Sequence, residues 1–182
     1  ILNEEGVGLA LENKETHLGS ILPKMNMGWN LGFGYKGINL GMTFTGRFGG
    51  IVLSETQSVL NAAGVSKISA DVRDAGGVPI NQAKIDARNY FQTIQTASVY
   101  YTYSATNVRL GELSLSYTLP KKWFANKLGM TVGLVGKNLW MIYCKAPFDP
   151  EAIATTSNFY QGIDYFMMPS TRNFGFNVKI NF

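Results

Sequence analysis

Between Asn26 and Tyr35 every odd position carries a large apolar side chain (Met27, Trp29, Leu31, Phe33, Tyr35), and every even position a small or polar one (Asn26, Gly28, Asn30, Gly32, Gly34). Successive side chains on a strand point to opposite faces, so a period-two run of this kind separates its two faces only as a β-strand. Lys36-Gly37 then reads as a two-residue hairpin turn, with Gly37 supplying the positive φ such turns need. The next run inverts parity as a hairpin should: Ile38, Leu40, Met42 and Phe44 are apolar, while Asn39, Gly41, Thr43 and Thr45 are not. The pattern returns at Leu113, Leu115, Tyr117 and Leu119, interleaved with Glu112, Ser114, Ser116 and Thr118. Pro120 ends that strand, since it has no N–H for a ladder. A partner strand is predicted from about Met130 to Ile142, with Met130, Val132 and Leu134 on one face. Its alternation slips near Val135–Asn138, which places a bulge at Gly136. The last run sets Phe174, Phe176, Val178, Ile180 and Phe182 against Asn173, Gly175, Asn177, Lys179 and Asn181.

A soluble sandwich would also alternate, but its outer face would carry charge. Here only 15% of residues are charged, against about 25% in typical globular chains. The polar face is Asn, Gly, Ser and Thr; the apolar face is rich in large aromatics. That contrast predicts an all-β fold, an antiparallel transmembrane β-barrel segment of about five to six strands with lipid outside and water inside. No apolar run approaches the ~20 residues of a transmembrane helix.

Other classes are poorly served. The net charge of +4 is scattered, with Lys121, Lys122 and Lys127 the only tight group, so there is no nucleic-acid footprint. A single cysteine, Cys144, allows no intrachain disulfide. The only histidine, His17, has no metal-ligand cluster around it and no nucleophile motif beside it, so neither a metal, a cofactor nor a catalytic centre is expected. Asp149 and Glu151, flanking Pro150, read as a turn with a structural role rather than a calcium site or carboxylate pair. The start at Ile1 without a signal peptide suggests a mature or trimmed polypeptide, or an internal start of a longer one.

Connection lengths alternate. Lys36-Gly37 and Pro120–Gly129 are short, whereas Phe48–Asn107 and Lys145–Ser170 are long. Outer-membrane barrels have short periplasmic turns and longer external loops. On that scheme 50–106 and 145–169 are extracellular, Tyr35, Tyr117 and Phe182 lie near the inner interface, and Trp29 and Trp140 near the outer one. Within the insert, helical character is predicted over Asn81–Ile94, with Ile85, Tyr90 and Ile94 on one side. A turn or two of helix is predicted in Ser54–Ala63, with a break at Gly76–Pro79. One further strand is expected around Gly6–Leu11. Tyr90, Phe91, Tyr100, Tyr101 and Tyr103 offer rigid contact area to a ligand or lid, or equally pack loop on loop.

Several stretches, in order, resemble SusC-like TonB-dependent transporters. Asn107–Pro120 (NVRLGELSLSYTLP) is similar to the family's LRLxNLTLGYTLP strand, Gly136–Trp140 (GKNLW) to GQNLF, and Phe148–Glu151 (FDPE) to the DPE found after it. Pro169–Phe182 (PSTRNFGFNVKINF) resembles PxxRTYTFGLNLxF, and Leu22–Gly50 the family's hairpin NPxPKFxYGFNLxxxYKNFDLSxFFQGxxG. Lys137 stands where Gln is common, Ser116 where Gly is common, and Ile51–Asn107 matches no family motif.

The resemblance implies that 1–182 is the C-terminal portion of a larger barrel of roughly 22 strands in the bacterial outer membrane. It implies import of oligosaccharides or peptides under a SusD-like lipoprotein lid, with TonB acting on a plug supplied by the rest of the polypeptide. Five or six strands cannot close such a barrel, so a segment of a longer chain or one chain of a split barrel is expected. Lumen-side substrate contacts would come from Asn30 and Glu112, with Thr43, Thr45, Ser114 and Asn177 on the same face. Loop contacts would come from Tyr101, Tyr103, Asp149, Tyr160 and Asp164. Phe174, Phe176, Val178, Ile180 and Phe182 resemble the terminal signal read by barrel-assembly machinery, and also complete the lipid face. A passive porin or an adhesin-type barrel is the alternative that composition alone leaves open.

Overall fold

The computed structural model describes residues 16–80, 83–124, 128–154 and 160–181. In chain order its elements are β1 (Met25–Tyr35), β2 (Ile38–Phe48), β3 (Ile51–Ser54), α1 (Glu55–Ala62), α2 (Lys67–Asp74), β4 (Val78–Ile80), β5 (Ala83–Ile85), α3 (Ala87–Ile94), β6 (Thr102–Ser104), β7 (Asn107–Thr118), β8 (Gly129–Cys144), β9 (Ile163–Asp164) and β10 (Asn173–Asn181). They fall into two compact units. A wall unit holds residues 22–50, 105–151 and 169–182, and an insert unit holds 51–104 and 152–168 with the segment before residue 22. The predicted strand at Gly6–Leu11 and the terminal Phe182 lie outside the described residues.

The wall unit is a five-stranded sheet in the order β1-β2-β7-β8-β10, antiparallel at every pairing. The β1–β2 turn has φ of 45° at Lys36 and 87° at Gly37, the double positive-φ geometry that matches strand twist. A Cβ on Gly37 would also lie 2.8 Å from the Thr118 carbonyl oxygen, so glycine is required there on two counts.

Register carries the alternation of each strand across the whole sheet. Phe33, Leu40, Leu115, Leu134 and Phe176 are successive partners, as are Tyr35, Ile38, Tyr117, Val132 and Val178. Trp29, Phe44, Leu110 and Trp140 form another such row, six residues up β1 from the tyrosine row. On the opposite face run Gly34, Asn39, Ser116, Gly133 and Asn177, and Asn30, Thr43, Glu112, Lys137 and Asn173. The apolar face is uncovered: Phe174 is 81% exposed, Phe176 68%, Leu134 59% and Phe33 58%. Leaving so much apolar area in water is opposed by about 25 cal/mol per Å², and a hydrocarbon surrounding removes that penalty.

The bulge does not fall at Gly136, which pairs regularly with Leu113 and Phe174. The extra residue lies between Lys137 and Trp140, opposite Leu110–Glu112. There Asn138 takes φ of 54°, a left-handed conformation that Asn tolerates better than most residues. Residue type at the bulge thus outweighed the glycine two positions earlier.

In the insert unit β3 is central to a three-stranded sheet, antiparallel to β6 and parallel to β9. Three helices of one length pack together, each begun by a side chain that accepts from free backbone N–H groups: Ser54 for α1, Ser66 for α2 and Asp86 for α3. Such caps contribute about 1 kcal/mol each. The predicted helix over Asn81–Ile94 is shorter at its start, because residues 83–85 pair with β4 as a hairpin strand and the Asp86 cap opens the helix only at Ala87. That shift rotates the inward face, which is Ala87 and Phe91, four residues apart. Val52, Ile85, Ala87, Phe91 and Tyr101 form this unit's buried apolar set. No helix among the described residues is long and apolar enough to cross a membrane.

The two faces predict opposite tolerances. A cation on a strand face that meets hydrocarbon costs about 2 kcal/mol or more away from the interfaces, so with the apolar face in lipid Leu115→Lys should destabilise the protein by about that much and Ser114→Lys much less. Denaturant titration in lipid vesicles reads the difference; equal effects would contradict the assignment of faces.

Candidate functional site

Arg109 lies on β7, on the same face as Thr45, and is only 6% exposed. A buried guanidinium is costly unless paired and hydrogen-bonded, and this one is surrounded by partners. Its Nε donates to Asn107 Oδ1 (3.3 Å), one terminal nitrogen to Asn138 Oδ1 (3.4 Å), and the other to Asp149 Oδ1 (2.9 Å). Glu151 Oε2 lies 3.3 Å from that same nitrogen. The Asn138 amide in turn donates to the Thr171 carbonyl at 3.3 Å, and the Ser170 hydroxyl donates to Asp149 Oδ2. Asp149 also accepts from the Glu151 backbone N–H at 3.0 Å, the local turn expected of an Asp before Pro.

Three stretches therefore meet at one side chain: β7 through Arg109 and Asn107, the β8 bulge through Asn138, and the segment after β8 through Asp149 and Glu151. A fourth, the segment before β10, joins through Ser170 on Asp149 and Thr171 on Asn138. The bulge is what turns Asn138 toward both of its partners. Burial pushes the Asp149 carboxyl up, but the Ser170 hydroxyl, the Arg109 guanidinium and the Glu151 N–H together hold it below its ordinary value.

The residues singled out in the sequence separate into three places. Asn30 and Glu112 share the polar row of the wall, where Thr43 Oγ1 donates to Asn30 Oδ1 at 2.8 Å and Lys137 lies 3.8 Å from Glu112. Both charges of that pair are substantially exposed, so it contributes little to stability. Asp149 sits in the Arg109 cluster. Tyr101, Tyr103, Tyr160 and Asp164 belong to the insert unit.

There, Asp164 is buried and accepts from the Ser54 hydroxyl at 2.7 Å, and Ser54 also accepts from Gln57 N at 3.1 Å. This ties β9 to the start of α1. Tyr101 is 2% exposed; its hydroxyl faces Asn61 but has no partner at good hydrogen-bond geometry. Tyr101 and Asp164 thus serve the packing of the insert, Tyr103 is half-buried on β6 with its hydroxyl pKa raised by burial, and Tyr160 is 55% exposed. Arg109 was missed from the sequence. The available signal was the one cation in a strand whose polar face otherwise carries Asn107, Glu112, Ser114, Ser116 and Thr118.

No family model matches the sequence. Among curated proteins, the TonB-dependent receptor P3 of Formosa agariphila is 31% identical over 172 residues, which cover 89% of this chain and 17% of that protein. Among solved structures, the RagAB peptide importer in its open-open state matches with a TM-score of 0.70 over 90% of this chain and 18% of that one, at 23% identity. Its closed-closed state matches with a TM-score of 0.68 over 99% of this chain and 20% of that one, at 20% identity. The chain thus spans a fifth or less of the proteins it matches. Over most of its length the chain is thus similar to a TonB-dependent receptor, and it shares its fold with part of the RagAB peptide importer.

Asp149→Ala would leave the Arg109 guanidinium buried with Glu151 as its one remaining acid, at a cost on the order of 3 kcal/mol. Hydrogen exchange at 145–151 should speed up by about two orders of magnitude. Because the Asp149 carboxyl is held below its ordinary value, its contribution is present above the unfolded carboxylate range and is lost as pH falls through the lower folded value. Wild-type protection of this segment should fall on acidification, while the Ala variant stays flat; a parallel decline in both would rule out Asp149 as the titrating group.

Proposed function

We propose that this chain is part of the wall of a TonB-dependent outer-membrane importer that takes up oligosaccharides or peptides. In this reading the sheet continues at β1 and β10 into a closed barrel of about 22 strands, the long connections 50–106 and 145–169 are extracellular, and the rest of the polypeptide supplies the plug and the TonB-binding segment. A SusD-like surface lipoprotein lids the outer mouth. The observation that carries the reading is the in-register pair of faces: five aligned strands, one face of exposed Phe, Leu, Tyr and Trp, the other of Asn, Ser, Thr and Gly. A wall with those faces separates hydrocarbon from an aqueous lumen. Similarity to a receptor and to the fold of a peptide importer supports energy-coupled transport over catalysis.

The polar row containing Asn30 and Glu112 would line the lumen, and the exposed Tyr160, with the half-buried Tyr103, would be the loop tyrosines that meet substrate. The terminal run Phe174, Phe176, Val178, Ile180 and Phe182 would serve barrel assembly as well as the lipid face.

The test is uptake of labelled oligosaccharide and peptide mixtures by cells carrying the whole transporter, with and without a working TonB. Uptake that requires both the transporter and TonB is expected. Uptake that persists without TonB would replace this reading by a passive porin, and surface adhesion without uptake by an adhesin-type barrel.

A further inference from the structure

The insert unit contains a cavity of about 400 Å³ where the end of α1, the middle of α2 and the start of α3 meet. That size lies toward the lower end of small-molecule sites, enough for one or two sugar or amino-acid units. Its base is rigid. Phe91, Ser69 and Asn61 are 3%, 2% and 5% exposed. Asn61 Oδ1 accepts from Gln57 Nε2 at 2.7 Å and from Ser66 Oγ at 2.6 Å, while Ser69 Oγ donates to the Ser66 carbonyl at 2.8 Å.

The rim is cationic. Arg73 from α2 and Arg88 from α3 both line the cavity. Arg73 has one ion-pair partner among the described residues, Asp74 at 3.9 Å, with both side chains more than 60% exposed; such a pair is worth ~0–1 kcal/mol and is easily exchanged. The Arg88 side chain has no hydrogen-bond or ion-pair partner among the described residues. The one acid of the lining, Asp86, has its carboxylate engaged by the N–H groups of Arg88 (3.0 Å) and Asn89 (3.4 Å). Two guanidinium groups with spare donors thus border a pocket whose one acid, Asp86, is held through Oδ2 by the helix end.

We infer that this cavity is a binding site for a carboxylate-bearing small molecule, held through Arg73 and Arg88 with its body against Phe91. A planar guanidinium matches a carboxylate with two parallel hydrogen bonds, and Phe91 with Ala62, Ala63 and Ala87 gives the otherwise polar lining an apolar side for a ring or short aliphatic body. The same chemistry is presented by a uronic-acid unit of an oligosaccharide and by the C-terminal residue of a peptide. The biological purpose of the site rests on the import reading; its chemistry does not, so binding to the purified protein is decided independently of uptake.

The experiment is calorimetric titration of the whole detergent-purified transporter with digalacturonate, with N-acetyl-Gly-Phe, and with their two neutral counterparts, α-1,4-linked digalactose and N-acetyl-Gly-Phe amide. At least one acid should bind and its neutral counterpart should not; which acid binds identifies the source. The double variant Arg73→Gln/Arg88→Gln, both exposed positions that leave the helix caps intact, should weaken that binding at least tenfold. Arg73→Lys/Arg88→Lys, which keeps charge but loses the fork, should fall between. Absence of binding by both acids at millimolar concentration, equal binding of acid and neutral forms, or unchanged binding by the Gln variant would each overturn the proposal.

Discussion

Between Tyr35 on one edge and Val178 on the other, the sheet pairs without a slip of parity in its lower half, and everything else about the wall depends on that. A one-residue slip at any of the four pairings would send an entire strand's apolar set to the polar side. The tight Lys36-Gly37 turn fixes the first pairing, since Gly37 has neither room for a Cβ nor a φ that other residues adopt readily. The small residues of the polar face come from the same register: a Cβ on Gly133 would lie 2.6 Å from Asn177 Oδ1, and one on Gly41 2.5 Å from Ser114 Oγ.

Where parity does change, a purpose is visible. The extra residue in β8 and the φ of 54° at Asn138 swing one amide to Arg109 on one side and to the Thr171 carbonyl on the other. Arg109 then collects Asp149 and Glu151 from the segment that leaves β8, and Asp149 holds Ser170 from the segment that enters β10. Long connections are usually the mobile part of a strand-built wall; here both ends of the 145–172 connection are fastened to the strands by one buried cation.

Much of the wall was legible because its strands face two contrasting surroundings, so Met27 to Tyr35 and Phe174 to Ile180 show their alternation without interruption. The shared levels of Trp29 with Trp140, and of Tyr35 with Tyr117, were also readable from strand lengths and turns. What escaped was tertiary. Gly136 looked like the bulge because glycine often marks one, but the bulge sits where an amide had to be turned. The three residues 83–85 are too short to show a strand period, so the start of α3 was placed early. Tyr101 and Asp164 looked like contact residues because aromatics and acids in loops often are, yet both are buried in a small core of their own. The FDPE and PSTR stretches were visible as family-like motifs, but the cluster around Arg109 that joins them, through Asp149 to Ser170 and through Asn138 to Thr171, is a property of the folded chain.

The central claim is that the Asn–Ser–Thr–Gly face meets water and the aromatic face meets lipid. It is tested most directly by single cysteines placed at Ser114, Asn177, Leu115 and Phe176 of the whole protein in outer membranes, with Cys144 replaced by Ser, and probed with a membrane-impermeant, water-borne thiol reagent. Modification at positions 114 and 177 and protection at 115 and 176 are expected. Modification at 115 and 176 with protection at 114 and 177, or equal modification of all four, would contradict the claim.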